Sequence, residues 1–228
     1  YPDNRTQLID FLYHASVWAN LTTVMPSAEG YGSVTYPIVT GKNNTEMLGE
    51  NKPATKSRQD TANVTFTPKT AKATAKYTRE LLKTFSVESL QAFAVHGLQK
   101  AMLEKRNQQI INGTGTNGEV LGIFNVSGTN AVAFGTDGGA VNYTRIVEFE
   151  SDISSNDVPL TRCGYVTNSK VIGAMKSTQK FASFGAPILE GNMANGYEVY
   201  LTNEVRSDYT KGTGKGLSGM AFLNADFC

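Results

Sequence analysis

The sequence predicts an α+β fold, and three observations support this class. Apolar and polar residues alternate with a period of two between Val64 and Tyr77, as in strands with one solvated face. A long helical pattern follows at about 86–112, and strand and helix patterns then alternate between Gly164 and Leu201. At 228 residues the chain is long enough to bury a sizeable core.

The first 66 residues predict an arm, a strand and a long loop. Apolar residues at irregular helical spacing between Leu8 and Val24 indicate an arm with a short helix, which Pro26 ends. The segment Tyr36–Val39 is typical of a strand. Residues 42–62 are polar without an apolar face, so we expect a loop of about 20 residues, a length that is uncommon unless the loop is functional.

Residues 64–112 predict strands and then the longest helix. Val64 and Phe66 begin the alternation, and Ala71, Ala73, Ala75 and Tyr77 continue it opposite threonines and lysines. Ser86 is the expected N-cap of the helix, with Glu88 in its first turn. One stripe should face inward, formed by Leu90, Ala94, Leu98, Ala101 and Met102. Gly113 is expected to end the helix.

The second half predicts a mixed unit that begins near residue 141. A helix is expected at Tyr143–Ser151, a strand at Gly164–Thr167, a helix at Ser169–Thr178 and a further strand at Tyr197–Leu201. Val171, Ile172 and Met175 should point inward from the second helix. The chain begins without an initiator methionine and ends on the apolar stretch Met220–Cys228, so we expect further polypeptide at both ends.

The charge balance and the cysteines argue against several classes of protein. Lysine and arginine total 21 against 20 acidic residues, so the sequence lacks the basic excess of a protein that grips nucleic acid. No apolar run approaches the ~20 residues of a membrane span. Cys163 and Cys228 are too few and too far apart for a disulfide framework or a zinc site.

Two glycine-rich motifs resemble nucleotide-binding loops, but the context of each is wrong. Gly113–Gly118 satisfies G-x-G-x-x-G yet follows a long helix instead of preceding one, so it predicts a helix-ending turn. Gly212–Gly216 lacks the spacing of a phosphate loop and predicts a surface hairpin. The two histidines, His14 and His96, have no catalytic motif around them. We therefore expect no catalytic residues, no cofactor and no metal ion.

Seven Asn-x-Ser/Thr sequons leave a secreted adhesin or glycoprotein open as an alternative. They begin at Asn4, Asn20, Asn43, Asn63, Asn112, Asn125 and Asn142. Against this alternative, Asn112 is predicted to close a helix, a position that favours asparagine for its backbone conformation.

The order of these elements resembles the Hong Kong 97-type major capsid proteins of tailed phages and prophages. The residues that carry the resemblance are Gly49–Lys52, Val64–Lys69, Tyr77–Leu82, Ile110–Gly115 with Gly118 and Leu121–Ile123, and then Tyr165–Ser169, Phe184–Pro187 and Gly196–Val199. They look like the extended loop, the strand pair after it, the start of the spine helix, the turn after that helix and the axial domain of the family.

The resemblance implies a division into four parts. These are an N-terminal arm at 1–35, an extended loop with flanking strands at 36–66, a peripheral domain at 67–140 with the spine helix at about 86–112, and an axial domain at 141–228 that lacks its C-terminal closing strands. Some relatives crosslink through a loop lysine, a position that Lys52 or Lys56 could match, but the acceptor region has no counterpart here.

The resemblance also implies a structural role and partners. The subunit is expected to assemble with its own copies into hexamers and pentamers of an icosahedral phage head, with scaffold, prohead protease and portal proteins as further partners. Contact with packaged DNA should be weak and non-specific, in a virion made in the bacterial cytoplasm, without a membrane. Contacts between subunits are expected at Glu50, Lys52, Lys56, Arg58 and Asp60. An encapsulin-like nanocompartment shell is the main alternative.

Overall fold

A computed structural model describes residues 18–21, 33–41, 45–53, 55–56, 58–84, 87–181 and 184–225. The chain divides into two compact units. One unit comprises Val24–Thr70, and the other comprises Tyr1–Thr23 together with Ala71–Cys228. Most of the predicted arm, with His14, lies outside the described residues, as do Ser86 and Cys228.

The smaller unit is an antiparallel hairpin. Its strands are β1 (Val34–Val39) and β2 (Thr61–Phe66), and their register pairs Val34 with Phe66 and Val39 with Thr61. The rings of Tyr36 and Phe66 meet edge to face with centroids 5.9 Å apart. The strand predicted at 36–39 is confirmed by β1, and the described residues of the connection at 45–60 form no helix or strand, as expected of a loop.

The larger unit contains the helices. They are α1 (Trp18–Leu21), α2 (Arg79–Thr84), α3 (Val87–Asn112), α4 (Tyr143–Ser154) and α5 (Ser169–Ser177). At 26 residues α3 is the predicted spine helix, and it spans about 39 Å at ~1.5 Å per residue. Asn142 caps α4 by accepting from Thr144 N at 2.9 Å, and Asn168 caps α5 by accepting from Val171 N at 3.1 Å.

The inward stripe predicted on α3 is only partly correct. Leu90 is 3% exposed, but Met102 is 44% exposed and Ala101 is also exposed. The other buried residues of the helix are Asn107 and Ile111, near its C-terminal end. Neither residue belongs to the predicted stripe. In the last turns of the helix, tertiary packing buries a different face from the one that the apolar spacing indicated.

The strand predicted through Ala71–Tyr77 is wrong. Residues 67–78 form neither helix nor strand and are exposed throughout. An alternating pattern yields a strand only where a second strand accepts its backbone hydrogen bonds, and none of the described strands pairs with this segment. The short helix α2 begins after Thr78, whose Oγ1 accepts from Leu81 N at 3.4 Å. It overlaps Tyr77–Leu82, the segment that resembled the start of the spine helix.

A five-stranded mixed sheet forms the centre of the larger unit. Its strands are β3 (Cys163–Thr167), β6 (Leu189–Glu190), β7 (Met193–Ala194), β8 (Tyr197–Leu201) and β11 (Met220–Asn224). They lie side by side in the order β11-β3-β8-β7-β6. Two small hairpins add β4 (Gln179–Phe181) with β5 (Phe184–Pro187), and β9 (Tyr209–Lys211) with β10 (Gly214–Leu217). β3 runs parallel to β8 and antiparallel to β11.

Every residue of β3 is buried, and its neighbouring side chains enter two different cores. Tyr165 packs in a cluster with Ile146 of α4 and Met175 of α5. Val166 packs with Ile111 of α3 and with Trp18 of α1. Because successive side chains of a strand point to opposite faces, this arrangement places the sheet between two layers of helix.

The α+β class is confirmed, and so are the elements predicted in the second half, as α4, β3, α5 and β8. Val171 and Met175 are buried as predicted, and Ile172 is half-buried. The glycine motif at 212–216 does lie in a hairpin, β9–β10. The division into two compact units does not separate residues 67–140 from 141–228, so the peripheral and axial boundaries stay predictions.

Candidate interaction surfaces

The five charged residues predicted to contact neighbouring subunits lie in the loop between β1 and β2. Glu50 and Lys52 belong to one tight turn, in which Lys52 N donates to Gly49 O at 3.3 Å and Asn51 adopts a φ of 72°. Asp60 stands at the base of the loop, where its carbonyl accepts from Thr40 N at 3.0 Å. Lys56 and Arg58 lie on the returning branch. The structure therefore distributes these side chains along the loop and does not gather them into one cluster.

All five side chains are exposed. Within the described part of the chain, none of them forms an ion pair or a side-chain hydrogen bond. Another acidic side chain of the loop, that of Glu46, accepts a hydrogen bond from Thr55 N at 3.4 Å. Their charges thus remain available to a partner.

The hairpin unit also exposes apolar side chains that the sequence reasoning missed. Met47 is 103% exposed, Val39 60%, Phe66 54%, Ile38 44% and Leu48 41%. An isolated two-stranded hairpin is marginally stable in water, so these exposed apolar side chains are candidates for contact with another chain. The adjacent pair Ile38-Val39 carried a signal, because two neighbouring apolar residues in a strand must face opposite sides.

A polar network holds the turn after α3. Glu119 accepts from Thr114 N at 3.2 Å, from Thr114 Oγ1 at 2.8 Å and from Gln109 Nε2 at 3.0 Å. Gln109 Oε1 in turn accepts from Val120 N at 3.1 Å. The motif Gly113–Gly118 is therefore a helix-ending turn, as predicted, and its first four backbone amides, those of residues 113–116, donate within the chain.

These hydrogen bonds hold the pKa of Glu119 below its ordinary value of 4.5, with those from Thr114 as the largest cause. A carboxylate with a lowered pKa stabilises the fold fully above about pH 4.5, and this contribution is lost as the pH falls through the folded-state value. We expect Glu119→Gln to flatten the pH dependence of the free energy of unfolding in that acid range, as measured by urea titration.

Glu104→Gln is the matched control, because Glu104 is an exposed carboxylate of α3 with no hydrogen bond or ion pair to the rest of the described chain. This variant keeps the hydrogen bonds of Glu119, so its slope should stay steeper than that of Glu119→Gln. Equal slopes for the two variants would contradict the assignment to Glu119.

An open groove of about 360 Å³ lies beside this network, lined in part by Lys105, Gln109, Glu119, Glu204 and Arg206. Lys105 Nζ lies 3.8 Å from Glu119 Oε1, and Arg206 pairs with Asp208 at 2.7 Å. Opposite charges line the groove together, so it has no strong preference for an anion or a cation. His96 lies elsewhere, exposed on α3.

A second polar network joins α4 to the central sheet. Tyr197 OH donates to Glu150 Oε1 at 3.0 Å, and Asn195 Nδ2 donates to Glu150 Oε2 at 2.6 Å. Tyr165 OH donates to Ile146 O at 3.1 Å. Burial raises the pKa of Tyr197 to about 12 and the pKa of Tyr165 further still, so both hydroxyls stay protonated and act as structural donors.

The described residues offer neither a metal site nor a membrane span. No group of histidine, cysteine and acidic side chains in them is arranged to hold a metal ion. No helix among them combines the length and apolar character needed to cross a membrane. Cys163 is buried in β3, where its Sγ donates to Thr161 O at 3.9 Å.

Comparison with known proteins gives one family. The model of the phage capsid family matches residues 2–225. A curated major capsid protein of Halomonas phage phiHAP-1 is 25% identical over 177 residues, which are 78% of this chain and 29% of that protein. The chain thus spans less than a third of the length of this relative.

Solved structures show the same fold at low sequence identity. The capsid of a native GTA particle matches with a TM-score of 0.70 and 15% identity over 97% of this chain and 77% of that one. Gordonia phage Cozz matches with a TM-score of 0.58 and 16% identity over 94% of this chain and 70% of its own. The predicted Hong Kong 97-type fold is confirmed by these likenesses. Because the family model extends over almost the whole sequence, the chain belongs to the phage capsid family.

Proposed function

We propose that the chain is a structural major capsid subunit, which assembles with its own copies into the hexamers and pentamers of an icosahedral phage head that encloses DNA. The observation that carries this proposal is the family match over residues 2–225. The role is structural and not catalytic, and the site of action is the virion, after synthesis in the bacterial cytoplasm. Scaffold, prohead protease and portal proteins are further proposed partners.

The hairpin unit is the proposed contact with a neighbouring subunit. Its apolar side chains are exposed to water, and burial of one such side chain against a neighbour contributes about 1.5–3 kcal/mol. An exposed ion pair contributes ~0–1 kcal/mol. The apolar residues should therefore supply most of the affinity, and Glu50, Lys52, Lys56, Arg58 and Asp60 should supply orientation and salt dependence.

Contact with the enclosed DNA is proposed to be weak and non-specific. The net charge of +1 leaves little electrostatic attraction for phosphates beyond what local basic segments provide. A shell of such low net charge should let DNA pack inside it and leave it without binding to particular sequences.

The proposal is tested by expressing the protein alone and together with the scaffold and prohead protease of its own genome. Rings or closed shells should be visible by negative-stain electron microscopy and should sediment as large species. Monomers under every assembly condition would contradict the proposal. Shells that enclose a protein cargo instead of DNA would favour the encapsulin-like alternative.

Single substitutions in the loop should distinguish the apolar contacts from the charged contacts. We expect Met47→Ser to lower the yield of shells more than Lys52→Glu does. Met47 is 103% exposed, so its substitution should leave the stability of the free subunit unchanged and act only on contacts with a neighbour. The charge reversal should instead alter the dependence of assembly rate on salt. Light scattering during assembly measures both effects.

Met47→Leu and Lys52→Arg are the matched controls, because they keep apolar character and charge respectively. Both should assemble as the unsubstituted protein does. Normal assembly of Met47→Ser would exclude this side chain from the contact.

A further inference from the structure

Three Asn-Gly dipeptides occur in the chain, at Asn112-Gly113, Asn117-Gly118 and Asn195-Gly196. This dipeptide is the one most prone to spontaneous deamidation, because glycine has no Cβ to shield its own backbone nitrogen from the asparagine side chain. The reaction needs that nitrogen free and the side-chain amide mobile. The structure places the three dipeptides in different environments.

Asn112-Gly113 is held at both reacting groups. Gly113 N donates to Gln109 O at 3.0 Å, so the attacking nitrogen is engaged in the last turn of α3. Asn112 Nδ2 donates to Glu204 O at 2.8 Å, and its Oδ1 accepts from Tyr209 OH. Attack would require several hydrogen bonds to break together.

Asn195-Gly196 forms the two-residue turn between β7 and β8. Its φ angles are 51° and 83°, as in a type I′ turn. The side chain is clamped, because Oδ1 accepts from Tyr143 OH at 3.0 Å and Nδ2 donates to Glu150 Oε2 at 2.6 Å. The amide therefore cannot rotate towards Gly196 N without losing both bonds.

Asn117-Gly118 has the same backbone turn without the clamp. Its φ angles are 52° and 84°, and Glu119 N donates to Thr116 O at 2.9 Å to close the turn. Asn117 is exposed, and in the described part of the chain neither its side-chain amide nor Gly118 N has a hydrogen-bond partner. A Cβ built on Gly118 would meet nothing within 4 Å.

We propose that Asn117 is a site of spontaneous deamidation in the folded protein, whereas Asn112 and Asn195 are protected by the fold. Gly118 N attacks the side-chain carbonyl carbon of Asn117, and the new C–N bond replaces the bond to the amide nitrogen. Ammonia leaves with the proton from Gly118 N, and a cyclic imide remains. Water then opens the imide at either carbonyl, which yields aspartate or isoaspartate.

The products change the turn next to Glu119. Either product adds a carboxylate two residues from Glu119, the group that holds Thr114 and Gln109. Isoaspartate also lengthens the backbone by one atom inside a two-residue turn, which should remove the bond from Glu119 N to Thr116 O. Copies of the subunit would thus become chemically different with age, whether or not they build a shell.

The test uses the folded protein, aged in mildly alkaline buffer and sampled over time. Peptide mapping by mass spectrometry separates the three sites, and isoaspartate-specific fragmentation identifies the products. We expect Asn117 to react at least about tenfold faster than Asn195, since the clamp adds two hydrogen bonds to the barrier. Asn195 reacting as fast as Asn117, or an intact Asn117, would overturn the proposal.

Two further measurements test whether the fold determines the order of the three deamidation rates. In denaturant the three rates should converge, and persistence of the folded-state order there would overturn the structural explanation. Tyr143→Phe removes the hydroxyl that binds Asn195 Oδ1 but keeps the ring, and it should raise the rate at Asn195 several-fold. An unchanged rate in that variant would contradict the role of the clamp, provided that circular dichroism shows an intact fold.

Discussion

Replacement of Tyr165 by alanine is expected to lower the free energy of unfolding by about 3–5 kcal/mol, the range for truncating a buried aromatic side chain. Tyr165 is 0% exposed on β3, between β11 and β8. Its ring stacks on Phe222 with centroids 4.4 Å apart and meets Phe149 and Tyr197 edge to face, each at 6.3 Å. Urea titration followed by circular dichroism measures the loss.

Tyr165→Phe is the control for packing. It keeps the ring contacts and removes only the hydroxyl that donates to Ile146 O at 3.1 Å, so it should cost about 1 kcal/mol. If the alanine and phenylalanine variants lost equal stability, the hydroxyl and not the aromatic packing would hold this core together.

Gly122→Ala is expected to cost about 3 kcal/mol or more, as overpacking against groups that cannot move aside does. A Cβ at this position would lie 2.4 Å from Gly113 N, 2.6 Å from Ile111 O and 2.7 Å from Ile111 C. All three are backbone atoms at the end of α3, so the turn would have to separate from the helix. Gly122 N now donates to Gly113 O at 2.8 Å, and that bond should be lost as well. Thermal unfolding measures the change.

Two other glycines provide controls for this substitution. Gly97 lies within α3, and a Cβ added there would meet nothing within 4 Å, so Gly97→Ala should stabilise the protein by about 0.5–1 kcal/mol. Gly118 also has open space but a φ of 84°, so Gly118→Ala should cost about 1 kcal/mol through backbone strain alone. A Gly122→Ala variant as stable as Gly97→Ala would contradict the predicted clash.

The elements that could be predicted from the sequence are those whose signals are local. β8 matches its predicted bounds, Tyr197–Leu201, and α3 ends at Asn112, where Gly113 was expected to stop it. Helix ends and glycine turns depend on residues close in sequence, so a single chain contains the information. The same reasoning rejected Gly113–Gly118 as a nucleotide loop.

The failures have a common physical cause, because each concerns contacts between residues distant in sequence. Ala71–Tyr77 has the alternation of a strand, but no described strand pairs with it. Met102 belongs to the apolar stripe of α3 and is nevertheless 44% exposed. The proposed contacts of Glu50, Lys52, Lys56, Arg58 and Asp60 are a separate case, because they came from the family resemblance and not from a local pattern. Nor did a local pattern indicate that Met47 is 103% exposed. Those contacts stay a prediction.

The burial of β3 on both faces has a thermodynamic consequence. Tyr165 and Val166 are adjacent in the chain but belong to different cores, so the backbone of a single strand connects the two hydrophobic clusters. If either helical layer detaches, the strand beneath it becomes hydrated and the opposite layer loses its support. We therefore expect the two layers of this unit to unfold together in a single cooperative transition.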